Sequence, residues 1–259
     1  MDDNQKAFVP AISVLNYHNI VKNGMENQND IHSISIERFN EHISALTESG
    51  YSQVSLPSAF DILTGGLDHA PGFVITFDDG YASLSEYADE INPPLKPTVF
   101  VLTEYAGQST LSWNLRSSVI LTHLTLDEIK KLDDSGFDIQ IHGCDHHNLL
   151  KFGDGQLRFR FKAANGWFFN NLGKMPEYLS YPYGYCNERI KEIASEFYRG
   201  AVSVSHGAWS GKTAQYALNR VSIPYYLTGK DLVEVLSYPP QNRWIEIEKR
   251  APWRKAGIN

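Results

Sequence analysis

The sequence predicts an α/β fold, a distorted (β/α) barrel of about seven units, and three observations predict it. Apolar runs of strand length alternate with amphipathic stretches, the pattern of parallel strands joined by right-handed helical crossovers. The units number about seven and are irregularly spaced, which fits an incomplete or distorted barrel. No low-complexity linker divides the 259 residues, and a chain with 42% hydrophobic residues can bury one large core. The expectation is therefore one domain over residues 1–259, with a motif-bearing core at about 12–223 and a C-terminal extension at 224–259.

The elements follow in order. Ile12 to Tyr17 reads as the first strand, and a helix from about Ile36 carries Phe39, Ile43 and Leu46 on one face before Gly50 stops it. Tyr51 to Ser55 is the next strand, and Pro57 opens another helix. Phe73 to Phe77 and Thr98 to Leu102 are strands. Thr125-Leu126-Asp127-Glu128 is a capping box for a helix that carries Ile129 and Leu132 and ends at Gly136. Strand Phe137 to Ile141, a helix near Gln156 to Leu172, strand Tyr178 to Tyr181, a helix near Asn187 to Phe197 and strand Ala201 to Ser205 continue the alternation. Leu218 to Ile223 is also strand-like. The helix near Gln156 is unusually aromatic (Phe159, Phe161, Trp167, Phe168, Phe169), and core packing is favoured for it over sugar stacking.

Two short segments carry chemistry. Thr76-Phe77-Asp78-Asp79-Gly80 ends an apolar run with two adjacent carboxylates, which need a cation, a shared proton or a bound metal to offset their repulsion and lost hydration. His142 and His146 sit four apart directly after another apolar run. One carboxylate and two imidazoles make an open three-ligand metal site, and ligands in α/β proteins collect at the carboxyl ends of strands. The spacing alone leaves a second reading open, with Asp79 capping a helix and the histidines on the surface.

These segments, with His142-Gly143-Cys144-Asp145-His146-His147-Asn148-Leu149 and Tyr181-Pro182-Tyr183-Gly184, resemble the polysaccharide deacetylase family, also called the NodB homology domain or carbohydrate esterase family 4. The opening Val14-Leu15-Asn16-Tyr17-His18 resembles the poly-N-acetylglucosamine deacetylase branch. The likeness runs in order from about Ile12 to Ile223. It implies a distorted (β/α)7-type barrel and a hydrolase that removes N-acetyl groups from an N-acetylated sugar, oligosaccharide or polysaccharide. It also implies Asp79, His142 and His146 as ligands of one divalent ion and Asp78 as general base. Zn2+ suits those ligands best, with Co2+, Ni2+ or Fe2+ as alternatives. An N–H in the Pro182-Tyr183-Gly184 loop, the Tyr183 amide in the family, would meet the oxyanion.

The sequence departs from the family pattern at two places. Where many members carry an arginine that orients the base, Ser180 stands here; Arg220 is the candidate replacement, with a surface salt bridge as the alternative. No late histidine strand supplies the usual proton donor. His206, after the strand at Ala201, and His18, at the end of the first strand, compete for that role, and His147 is a spectator. Trp113, Trp209 and Tyr183 are aromatic candidates for sugar stacking. Cys144 and Cys186 read as packing residues without a disulfide framework.

Composition excludes other classes. A formal charge of −7 offers no basic surface for nucleic acid, and no apolar stretch approaches the length of a membrane span. Met1 to Lys6 lacks the basic start and apolar run of a secretion signal, so the chain as given reads as cytoplasmic, although the family includes exported members. Two other functions stay open: noncatalytic glycan binding on the same fold, and hydrolysis of a small cyclic amide or ureide by the same centre.

Overall fold

The computed structural model describes residues 12–26, 30–65, 70–91, 96–111, 119–204, 215–238 and 240–252. Seven parallel strands close on one another: β1 (Ile12–Tyr17), β5 (Gly72–Phe77), β6 (Thr98–Val101), β9 (Asp138–Ile141), β10 (Tyr178–Ser180), β11 (Gly200–Ser203) and β12 (Leu218–Ser222). The ring runs β1-β12-β11-β10-β9-β6-β5 and returns to β1, with Leu15 opposite Val221 on one side and Ile75 on the other. The closure is uneven at β5, which meets β4 (Ser52–Gln53) at its start and β6 only at its end, Thr76 opposite Thr98. That short eighth strand fills the gap and accounts for the irregular spacing of the units.

Alternation along each strand sorts the core into two layers. Ile12, Val14, Val74, Phe100, Tyr178, Val202 and Leu218 form the buried barrel interior, while Leu15, Tyr17, Phe73, Ile75, Phe77, Ile139, Ile141 and Leu179 face the outer helices. Helix α2 (Leu56–Gly65) seals the end where the strands begin, with Leu56, Ala59 and Phe60 against the interior and the Phe60 ring 4.7 Å from that of Tyr178. The apolar filling stops one residue short of the opposite end, where the strands finish and the polar site begins.

The outer layer holds α1 (Ile36–Glu48), α4 (Leu126–Asp134), α5 (Asp154–Leu172) and α6 (Glu188–Ser195). The Thr125 capping box is present, with its hydroxyl on the Glu128 N–H and the Glu128 carboxylate on the Thr125 N–H. Core packing holds for only part of α5: Leu157, Phe161, Ala164 and Phe168 form its buried stripe, but Phe159 and Phe169 lie off that stripe and are exposed. Short elements that periodicity did not reveal surround the open end. They are the parallel pair β2 (Asn19–Val21) and β3 (Ser33–Ser35), the one-turn helix α3 (Ser83–Glu86), and the antiparallel pair β7 (Ser109–Leu111) and β8 (Ile120–Thr122).

The segment expected as an extension folds back onto the barrel as α7 (Gly229–Ser237) and α8 (Pro240–Lys249). The Gly229 N–H donates to Glu41 of α1, and buried Arg243 of α8 donates to Ser13 of β1 at 3.0 Å. Among the described residues, no helix is long and apolar enough to cross a membrane.

Candidate functional site

The period of two that builds the interior also builds the site. Val74 and Thr76 point into the barrel, so the next inward position is Asp78; Gln140 leads likewise to His142, Tyr178 to Ser180, Leu218 to Arg220, and Val14 through Asn16 to His18. Asp78, Asp79, His142, His146 and Arg220 are all buried, which excludes the surface-histidine and surface-salt-bridge readings. Asp79 caps no helix either, because α3 begins later, with Ala82 at its N-cap.

Asp79, His142 and His146 offer ligand atoms that all lie within 4.8 Å of one another. The Asp79 Oδ1 atom is 3.3 Å from each histidine Nε2, yet it is buried and has no hydrogen-bond partner. Two ligands each about 2.1 Å from a tetrahedral ion stand roughly 3.4 Å apart, so the spacing and the orphaned oxygen both fit a divalent cation. His142 is oriented from behind: the Ser180 carbonyl can only accept, so Nδ1–H donates to it at 2.9 Å and Nε2 faces Asp79. Burial opposes the charged form of Asp79, but His146 and His142 outweigh it and hold the carboxyl well below the usual range. Burial also works against protonated His142, yet Asp78 and Asp79 raise its pKa; His146 goes the other way, down to about 4, because burial dominates there.

Asp78 has a different set of partners. Arg220 clamps it through two parallel bonds, Nη1 to Oδ1 at 2.8 Å and Nη2 to Oδ2 at 2.5 Å, with both side chains buried. Ser180, in the place of the family arginine, donates to Asp78 and accepts from Arg220, while Thr76 also accepts from the guanidinium. A small side chain on β10 thus leaves room for an arginine to arrive from β12. The guanidinium lies 5.5 Å from the centroid of the Phe100 ring, at the boundary between apolar filling and polar mouth. Burial raises the Asp78 pKa, but Arg220 and His142 overcome it and bring it down to about 2.

The loops carry strain. Among the described residues, four non-glycines have positive φ, and three of them are Asp79 (71°), His146 (54°) and Tyr183 (59°). Left-handed backbone costs a non-glycine about 1–2 kcal/mol, and such residues concentrate where geometry serves function. Tyr183 is exposed, with its ring 4.4 Å from His146 and 6.0 Å from Tyr185. Pro182 is buried beneath it.

His18 lies at the mouth, its ring tilted by 31° against that of His32 with centroids 4.3 Å apart, and its buried Nδ1 has no partner. Burial and His32 push its pKa down to about 3, against the pull of Asp79 and Asp78. His206, Trp113 and Trp209 lie outside the described residues. His147 is exposed and paired with Asp145 at 2.9 Å, away from the centre, and Cys144 is buried with its thiol donating to the Arg160 carbonyl.

Sequence reading missed His32 and His123. His123 follows β8 and is buried, with Nδ1 2.9 Å from the Asp79 carbonyl. A lone histidine in Leu121-Thr122-His123-Leu124-Thr125 gives no spacing signal, since its contact is made across 44 residues.

Residues 68–199, just over half of the chain, match the family model described as polysaccharide deacetylase. A Bacillus subtilis (strain 168) protein named as a polysaccharide deacetylase, YxkH, is 28% identical over 197 residues, which are 74% of this chain and 66% of that protein. The chain thus spans just under two thirds of the length of that relative. The Streptococcus pyogenes deacetylase PplD, solved with acetate, superposes with a TM-score of 0.71 at 20% identity over 88% of this chain and 98% of that one. IcaB from Ammonifex degensii gives 0.72 at 20% identity over 89% and 97%. At these identities the likeness is one of fold, and the fold is the distorted seven-stranded barrel expected from the sequence.

Proposed function

Because the chain belongs to the polysaccharide deacetylase family, we propose that it hydrolyses the N-acetyl groups of an N-acetylated sugar, oligosaccharide or polysaccharide with the help of one divalent ion. The observation that carries this reading is the pairing of two differently held carboxylates. Asp79 keeps an orphaned oxygen between two imidazoles, and its neighbour Asp78 is locked on a guanidinium. Asp79, His142 and His146 are the ligands in this proposal, with Zn2+ the best match to two nitrogens and one oxygen. A divalent ion held there acidifies water and polarises an acyl oxygen.

The chain's own residues account for the remaining chemistry. Asp78 is the general base. Burial opposes its charge, but Arg220 and His142 bring its pKa down to about 2, so it is ionised and free to accept a proton from a water that a divalent ion held by Asp79, His142 and His146 would acidify. Base and ion are therefore needed together. Arg220 is a positioning residue that keeps Asp78 ionised and fixes both its oxygens. As water oxygen bonds to the acetamide carbon, its proton passes to Asp78, and the Tyr183 amide meets the developing oxyanion. Cleavage of the C–N bond releases acetate, and the departing amine takes a proton from His18. That ring is neutral in the resting site and is charged by the proton that Asp78 took from water, so one water supplies both the oxygen of the acetate and the hydrogen of the amine.

The test is acetate release from N-acetylglucosamine oligomers by the zinc-loaded protein, with Asp78→Asn as the control. The variant should bind zinc as before and release no acetate. Full turnover by Asp78→Asn removes the base assignment. Tight glycan binding by a zinc-loaded protein that releases no acetate from any acetylated sugar replaces the hydrolase reading with glycan binding, and ureide hydrolysis without sugar deacetylation replaces the substrate class.

A further inference from the structure

The direction of the Asp79 carboxylate is set by a main chain that an L-residue resists adopting. Asp79 and Gly80 are consecutive left-handed residues, at φ 71° and 63°. The turn they make is splinted from outside the motif, by β8 and the residues after it. The Ala82 N–H donates to Thr122 O at 2.8 Å, the Leu124 N–H donates to Gly80 O at 2.8 Å, and His123 reaches the remaining carbonyl, Asp79 O, at 2.9 Å. The first two are main-chain bonds that many sequences could make. The third needs this side chain.

The chemistry of the three atoms settles the tautomer. A carbonyl oxygen can only accept, so His123 carries hydrogen on Nδ1. Its Nε2 lies 2.9 Å from the Thr110 hydroxyl of β7, which can donate to it. Strand β7 is thus tied through the imidazole to the residue after β8, and the hydroxyl, which can donate or accept, takes the donor role that the Nδ1–H tautomer leaves to it. Tyr81 and Tyr105 hold the ring plane, with centroids 5.0 and 5.5 Å away, and the side chain is buried.

We propose that His123 is a positioning residue for the metal centre: its Nδ1–H, with Thr110 against the other ring nitrogen, holds the Asp79 carbonyl and so aims the Asp79 carboxylate between His142 and His146. The inference rests on Asp79 being a metal ligand. A side chain behind a ligand commonly changes affinity by about 10–100-fold, and His123 acts on the ligand's main chain.

Calorimetric titration of the full chain with Zn2+ and Co2+ tests it, using the wild type, His123→Ala, His123→Asn, His123→Gln and Asp79→Asn. Asp79→Asn should lose binding, and His123→Ala should bind about tenfold more weakly or worse. His123→Asn, whose amide nitrogen stands near the Nδ1 position, should recover most of that loss, whereas His123→Gln should not. If Asp79→Asn loses the metal while His123→Ala binds as tightly as the wild type and only melts earlier, His123 is merely structural and the inference is overturned. If Asp79→Asn binds normally, the metal reading itself falls and takes the inference with it. Nitrogen NMR of the wild-type imidazole needs no variant to fold: hydrogen on Nδ1 supports the assignment, and hydrogen on Nε2 overturns it.

Discussion

Replacing Arg220 by methionine removes the charge and the forked donors while keeping a long apolar stem over Phe100, so the variant isolates the ion pair. In the native protein Asp78 is ionised with its pKa brought from 3.8 down to about 2, a stabilisation of roughly 2–3 kcal/mol for the charged form. The sign follows from that depression: the contribution is fully present above about pH 4 and is lost as pH falls through 2. Removing Arg220 reverses it, since burial is then opposed by the Ser180 hydroxyl, by His142, 3.9 Å away, and by His18, without the guanidinium. Breaking a buried pair from one side costs about 3–5 kcal/mol, more than the native stabilisation because the desolvated carboxylate stays behind. Asp78 in the variant must therefore titrate above its unfolded value, and the penalty must shrink as pH drops from 7 toward 4.5. Urea melts in the presence of chelator at both pH values measure this. A loss under about 1 kcal/mol at pH 7, or a loss that does not diminish in acid, refutes the argument. If the protein has the deacetylase activity proposed above, the same substitution in its metal-loaded form should move the acid limb of kcat/KM to higher pH.

Further outcomes follow from individual contacts. At Gly184 a Cβ would lie 2.7 Å from the Val204 main-chain nitrogen and 2.2 Å from its Cγ2, with φ at 70°; Gly184→Ala should destabilise the protein by more than about 2 kcal/mol in urea melts and displace the adjoining Tyr183 amide. Because Asp78 and Asp79 raise the His142 pKa against the effect of burial, zinc must displace a proton more often as pH falls. Affinity should weaken from pH 8 to pH 6, and calorimetry in buffers of different ionisation enthalpy should show proton release approaching about one at the lower pH. His18→Gln should lower kcat by about 100-fold or more with zinc affinity unchanged, whereas a drop of only about twofold would assign protonation of the amine to another group.

The parts of the molecule that sequence reading reached are those where one strand decides the outcome. Each barrel strand alternates between filling the interior and facing the helices, so Val74 and Thr76 fix Asp78 as an inward residue, and an arginine inside Leu218-Asn219-Arg220-Val221 has to meet an anion within the barrel. Helix α5 shows where periodicity fails. With aromatics all round it, the buried stripe of Leu157, Phe161, Ala164 and Phe168 cannot be separated by pattern from exposed Phe159 and Phe169. For α7 the signal was present, since Thr228 and Asp231 form a capping box, but it falls beyond the last motif and carried no chemistry to draw notice.

His123 was illegible for a different reason, and the difference bears on how the site is built. Asp78 can point inward because its strand places it there, and the strand's own alternation enforces the direction. Asp79 is the next residue, so strict continuation of the strand would carry it to the opposite face, among Phe73, Ile75 and Phe77. Bringing two adjacent carboxylates to one mouth requires the chain to leave the β conformation between them, and the left-handed φ of Asp79 is that departure. A broken alternation cannot be held by the strand that it breaks; it needs bonds from elsewhere, and His123 and Leu124, directly after β8, supply them to the Asp79 and Gly80 carbonyls. The Asp78-Asp79 pair, the sequence's plainest chemical signal, therefore depends on a hairpin residue that strand-by-strand reading has no means to find.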